Sequence, residues 1–496
     1  MNIPTLISIL PFVIFVYLLV WRRVTLLKTS FLTAGLFALI GIIYFKMQPA
    51  LVALSFGKGA LVAFDILIIV FGAIYFLETL EHLGVIKNIS YYLETFSKDY
   101  RIQVIMLAWF FESFLEGTAG FGTPAAVVVP LLIGMGFGPI RALVLGLLGN
   151  SVAGAFGAAG TPIRVGFAGL NTASVPLLAS VLNLAGAVVP IFMLWVATRG
   201  REKAKEEFMD ALPFAIWSGI AFTGASILSV PLGQEFPSII GAVIGLLLVM
   251  ATSRMGLFMP KEIKKFDDER VPERTMNAGR AFFPYAILVA LLVAGKFLLG
   301  NANLSFEIGS LRHTFSWFNP GFAFIAAALI TTLVSKKEFI ERKEVKDAFK
   351  SAVGPFMVIV AVTALAQIMI NSGTNASGLP SITKILSQIF GVSLLPFFAP
   401  FVSAFGSFIT GSATVSNIMF GNFFAAVSME LGLNLQLILS LGLTGAAAGN
   451  MIALADIMAA EVVVKIRNKE VEIIKGVFIP CLTYLIILGV VGLLLA

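Results

Sequence analysis

The chain has 496 residues, 58% of them apolar and only 12% charged, with a mean hydropathy of +0.98 and a formal net charge of +7. A soluble domain carries roughly 25% charged residues, so the composition excludes an ordinary soluble enzyme and places the chain in a bilayer, where its 45 Phe suit lipid-facing surface. The basic residues cluster in short segments between apolar runs, which is the pattern of positive-inside loops and not of a nucleic-acid patch.

The first apolar run, residues 4–21, has no basic residue before it and Arg22 and Arg23 after it. A secretory signal has the opposite polarity, so this run reads as a retained first span with the N-terminus outside. Further spans follow at 30–46 and 60–80, then an amphipathic stretch at 85–98 and a Gly- and Pro-broken region at 102–136. Two more spans are expected at 139–161 and 172–198. The pair at 212–230 and 237–255 forms a return hairpin before the loop KEIKKFDDERVPERTMNAGR, the best boundary between halves. The second half repeats the plan. Spans at 281–299, 319–335 and 352–371 lead to an amphipathic stretch near 379–391, a broken region at 394–429, and spans at 435–460 and 474–495. Placing Arg199–Lys205, Arg254–Arg280, Lys336–Lys350 and Lys465–Lys475 in the cytoplasm gives a self-consistent topology.

A constant offset between the halves aligns Gly84 with Gly378, Ser113-Phe114 with Ser407-Phe408, Gly117 with Gly411, Ala119 with Ala413 and Gly138 with Gly432. The first broken region is entered from the cytoplasmic side and the second from outside. The expectation is an all-α polytopic membrane protein: an inverted-repeat secondary transporter of about twelve spanning helices plus two broken or re-entrant hairpins. Its parts are residues 1–205 (first repeat), 206–280 (connecting hairpin and loop) and 281–496 (second repeat).

Irregular backbone is tolerated at membrane depth only inside protein or along a wet cavity. The stretch ESFLEGTAGFGTPAAVVVP, from Glu112, is therefore the first place to seek a site. Half-helix N-termini suit an anion, and exposed carbonyls suit a cation. Ser113, Gly117, Thr118, Gly120 and Thr123 in one half, with Ser412, Thr414 and Asn417 in the other, are candidate substrate contacts; the bland alternative is close helix packing by small residues. Asn150 and Asn450 lie in corresponding spans, as substrate contacts or as amides stitching helices together. A carboxylate at the bilayer centre costs on the order of 3 kcal/mol and needs a partner or a wet surface. Glu116, Glu112 and Asp456 are accordingly candidate coupling groups, with a helix cap as the alternative for Glu116. Arg164 could hold a substrate carboxylate bidentately or sit at the outer interface. Arg141 snorkels to the inner surface. A single cysteine, Cys481, precludes an internal disulfide, and with only two histidines a conventional His/Cys metal site is not expected. No nucleotide-binding motif occurs, so no cofactor is expected and ATP-driven transport within this chain is disfavoured.

These segments resemble the bacterial lactate permease family. FLEGTAGFGTPAA at 114–126 is similar to that family's FLEGAAGFGAPVA, and residues 150–163 match its N-x-x-x-x-F-G-A-x-G-x-P-I pattern. TGSATVSNIMF at 410–420 is similar to TGSDTSSNALF, and GNMIA at 449–453 to GKMIS. The chain departs by having Ala413 where the pattern has Asp and Asn450 where it has Lys. An acid and a base lost together fit a mutually compensating pair. The resemblance implies carriage of lactate or glycolate with protons across the bacterial inner membrane, the substrate being held between the broken segments. Partners would be the monocarboxylate, the proton and the bilayer; homo-oligomerisation is left open. A sodium-coupled carboxylate carrier and an anion channel are the alternatives, and a membrane-embedded enzyme is the least favoured.

Overall fold

A computed structural model describes residues 3–18, 22, 24–120, 123–265, 275–300, 302–308, 311–335, 340, 342–387, 394–466 and 468–496. Among these residues, nine helices are long and apolar enough to cross a membrane, and ten if the bent pair Pro139–Gly149 and Ala153–Arg164, angled at 50°, counts as one span. The architecture is that of a helical multi-pass membrane protein. The expected count was higher because several apolar runs make shorter helices. Pro320–Ser335 has 16 residues and rises about 24 Å, short of a hydrocarbon core roughly 30 Å thick. Ile3–Phe15 and Leu395–Thr410 are similarly short.

The only sheet among the described residues is a hairpin, Asn303–Ile308 paired antiparallel with Leu311–Ser316, in register from Asn303 opposite Ser316 to Ile308 opposite Leu311. It connects Ala278–Leu299 to Pro320–Ser335 and had no counterpart among the sequence expectations.

Small residues let the long spans touch backbone to backbone. A side chain at Gly72 would run into the Gly321 carbonyl, and one at Gly321 into the Ile68 carbonyl, so Pro49–His82 and Pro320–Ser335 cross at these glycines. Enclosure differs sharply between helices. Within the apolar window of Leu435–Glu461, 89% of residues are buried, against 22% in Ala278–Leu299. The interrupted helices thus occupy the centre, and uninterrupted ones form the outer wall.

At one end of the bundle a polar knot ties the start of the first broken region to its surroundings. The fully buried Arg101 holds Asp99 through Nε at 2.9 Å and Nη2 at 2.6 Å. It also donates to the Glu207 carbonyl at 2.7 Å and the Glu262 carbonyl at 2.7 Å. Tyr100 donates to Glu207 at 2.7 Å, and the Arg201 guanidinium lies over the Tyr100 ring. Asp99 further caps the Tyr100–Ile105 helix by accepting from the Arg101 amide. Removing one partner of a buried pair strands the other charge. Arg101→Met is therefore expected to destabilise by about 3 kcal/mol or more, seen as a lower thermal-unfolding midpoint in detergent. The exposed Lys203→Ala should leave that midpoint within the scatter of surface changes.

Candidate functional site

Both broken regions interrupt a helix with a left-handed glycine. In the first, the Glu112–Thr118 helix ends with Ala119 donating to the Leu115 carbonyl at 2.7 Å, followed by Gly120 at φ +59°. In the second, Leu395–Thr410 ends with Gly411 at φ +69° donating to the Ser407 carbonyl at 2.8 Å. Glycine takes this conformation without the Cβ penalty, which is why it ends helices. Ser412 then caps Ala413–Leu431 by accepting from the Val415 amide at 3.3 Å.

The following span of each half is interrupted too. Pro139–Gly149 stops at Asn150 and continues through a 3-10 turn, Ala153–Phe156; Leu435–Gly449 stops at Asn450 and continues through Asn450–Ile452. Beyond the first of these, Ala158, Ala159 and Gly160 run left-handed at φ 42°, 51° and 75°. A left-handed residue with a Cβ costs about 1–2 kcal/mol, so the surrounding structure has to impose this run. Neighbours satisfy the freed carbonyls, as the bilayer requires. Ser238 donates to the Ala153 carbonyl at 2.8 Å and Asn183 to the Val152 carbonyl at 3.2 Å, and Asn183 in turn accepts from Tyr484 at 2.8 Å.

The interruptions surround one small cavity of about 310 Å3, its open mouth included. The first half contributes Glu116, Gly120, Gly154, Gly157, Ala158 and Pro162; the second contributes Gly411, Ser412, Ala413, Thr414, Asn450 and Asp456. The Glu116 carboxylate lies where a Gly157 side chain would be, and Asn450 Nδ2 would be 2.9 Å from a Cβ at Gly154. Asp456 Oδ1 is 3.2 Å from the Cβ position at Gly411. Glu116 Oε2, Asp456 Oδ2 and Asn450 Oδ1 are buried without a hydrogen-bond partner among the described residues. The first turn of Ala413–Leu431 borders the same space and presents the positive end of its dipole. Buried acceptors beside a helix N-terminus can take protons, a cation or a ligand's donors, while the helix end takes a ligand's negative group.

Of the residues singled out in the sequence, Glu116, Gly120, Ser412, Thr414, Asn450 and Asp456 meet at this cavity. Others lie beside it. Glu112 is fully buried one turn before Glu116, its Oε2 2.5 Å from the Cβ position of Gly149, and neither carboxylate oxygen has a hydrogen-bond partner among the described residues. Ser113 and Asn150 are buried, each with an unpartnered oxygen by the same measure. Gly117 packs against Ser238 and Ile239 of Pro237–Arg254, and Thr118 donates back to the Leu115 carbonyl at 3.0 Å. Asn417 joins the halves by donating to the Pro162 carbonyl at 3.1 Å. Thr123 opens the Thr123–Gly134 helix, and its side chain lies outside the described residues.

Arg164 is engaged elsewhere. It donates to the Phe318 carbonyl at 2.8 Å and pairs at 2.9 Å with Glu235, which Lys296 also contacts at 3.2 Å. Its guanidinium faces the Phe318 ring and not the cavity. The sequence reading passed over Gly154, Gly157, Ala158 and Pro162 as site residues, although they fall inside the spaced pattern at 150–163. Ala413 and Asn450, the two departures from the family pattern, both line the cavity.

The family model described as L-lactate permease matches residues 4–307 and 301–496. The chain is 27% identical to a putative L-lactate permease of Haemophilus influenzae, over 99% of this chain and 98% of that one. It is 24% identical to an L-lactate permease of Bacillus subtilis (95% and 92% covered) and 26% identical to a glycolate permease of Escherichia coli (100% and 96% covered).

Gly157 has an ordinary φ of −59°, so what it supplies is the missing Cβ and not its backbone freedom. Gly157→Ala is expected to force the Glu116 carboxylate aside at a cost of about 1–3 kcal/mol, lowering the thermal-unfolding midpoint. Gly138→Ala, where a Cβ would meet nothing within 4 Å, is the neutral control.

Proposed function

Because the chain belongs to the L-lactate permease family, we propose that it is a secondary transporter carrying a small monocarboxylate, lactate or glycolate, with a proton across the bacterial inner membrane. The observation that carries this reading is the cavity between the broken helices, where a helix N-terminus and an amide stand beside buried carboxyl groups. The substrate carboxylate would be received by the first-turn amides at Ala413 and Thr414, the Thr414 hydroxyl and the Asn450 amide.

Coupling follows from charge. An anion about 4 Å from an ionised carboxylate is repelled by roughly 4 kcal/mol at an effective dielectric of 20. A protonated carboxyl group would instead donate a hydrogen bond to it. Glu116 and Asp456 would thus admit the substrate together with protons and release both when the cavity opens to the other side, with Glu112 as a further proton site behind Glu116. Support for an inverted repeat comes from the shared succession of a left-handed glycine break followed by a span interrupted at an asparagine. In this reading residues 1–205 and 281–496 are the repeats, 206–280 connects them, and the N-terminus is outside. A second reading, sodium coupling, is favoured by the unpartnered oxygens of Glu116, Asp456 and Asn450, since hard cations take oxygen ligands.

Uptake of labelled L-lactate into proteoliposomes under an inward proton gradient, in sodium-free buffer, separates these readings. Proton coupling predicts accumulation that a protonophore abolishes and unlabelled glycolate competes away. Accumulation that requires sodium and survives the protonophore would replace it with the second reading; no accumulation of either acid under either gradient would overturn the substrate class. Glu116→Gln is expected to lose gradient-driven accumulation by at least about 100-fold, the scale of a removed proton-transfer group, while retaining lactate exchange at equilibrium.

A further inference from the structure

A second and larger cavity, about 1630 Å3 with its open mouth, lies at one end of the bundle. There the start of Pro139–Gly149, the end of Val189–Thr198 and the start of Glu470–Leu495 converge. Val144 and Val196 contribute apolar wall, and Arg141, Arg199, Lys469 and Lys475 contribute positive charge. Glu472 is the single acid lining it, and Lys469 pairs with that acid at 3.1 Å. Arg141, Arg199 and Lys475 have no carboxylate at ion-pair distance among the described residues. The Arg199 guanidinium sits 5.2 Å from the centre of the partly exposed Trp195 ring.

Three uncompensated cations round a cavity with apolar walls create a local field that an anion relieves. Their position, at the ends of membrane-length helices beside a tryptophan, is the depth at which lipid headgroups lie. Basic pockets between spanning helices at this level suit a phosphate ester. We propose that this cavity binds an anionic phospholipid, its phosphate among Arg141, Arg199 and Lys475 and its acyl chains continuing into the bilayer past Trp195. The headgroup would bridge residues 139–200 to residues 469–476, joining the two halves at the membrane face. The site stands apart from the transport cavity, and its test does not depend on any transport activity.

The test is Trp195-dependent fluorescence quenching of the purified full-length protein by brominated phosphatidylglycerol, taken as the difference between wild type and Trp195→Phe. Brominated phosphatidylcholine is the zwitterionic reference. Each basic residue near a headgroup contributes about fivefold in affinity, so R141Q/R199Q/K475Q is expected to weaken half-saturation by roughly 100-fold and to erase the preference for the anionic lipid. The charge-retaining R141K/R199K variant should keep that preference. Equal quenching of wild type by the two lipids, or an undiminished preference in a folded triple variant, would overturn the proposal. Displacement of the lipid by inorganic phosphate at equal concentration would also overturn it, by marking a site for soluble anions. If the triple variant does not fold, the wild-type comparison of the two lipids decides alone.

Discussion

Everything central in this molecule follows from what a bilayer does to an interrupted helix. Ending a helix frees amide and carbonyl groups that hydrocarbon cannot satisfy, so an interruption survives only where other protein encloses it. Here the interruptions at Gly120, Asn150, Gly411 and Asn450 are gathered in one place and surrounded by uninterrupted helices. Side chains from neighbouring helices complete the loose backbone, as Ser238 does for Ala153 and Asn183 for Val152. The same enclosure that protects the backbone strips water from Glu116 and Asp456. An apolar wall and a reactive centre are thus two results of one requirement.

How far the centre could be read in advance depended on whether a residue's role was local. The breaks were legible because Gly and Pro act on their own stretch of chain, and Glu116 and Asp456 because a carboxyl group in an apolar run is conspicuous wherever it lands. Arg164 was equally conspicuous, but its partner Glu235 is 71 positions away. No local pattern could show that its charge is already answered. Gly157 was hidden for the opposite reason: its importance is the volume it leaves for Glu116, which is visible only once the helices are packed. The span count was overestimated because hydropathy registers an apolar run without saying how much of it stays helical, as at Pro320–Ser335. The hairpin at 303–316 carried no such apolar signal.

The two departures from the family pattern acquire a common meaning in three dimensions. Ala413 and Asn450 are far apart in the chain but line the same cavity, and Asp456 lies on that wall as well. An acid absent at one position and present at another leaves a carboxyl group in the cavity while changing where it stands. Such a change alters the shape and hydrogen-bonding order of the space without emptying it of ionisable groups.

Just before Glu112 the chain winds as a π-helix, Met106–Phe111, every residue of it buried. A π turn holds one residue more than an α turn accommodates, and each α-helical residue turns the chain by about 100°. Relative to Tyr100–Ile105, anchored by its charged knot, the direction in which Glu116 points is therefore set by the number of residues in MLAWFF. Exchanges among bulky apolar side chains would keep that number, whereas losing one residue and tightening the turn would swing both glutamates to another face of the bundle. In this segment the length is the message and the side chains are its packing: an inert stretch works as an indexing wheel for the chemistry that follows it.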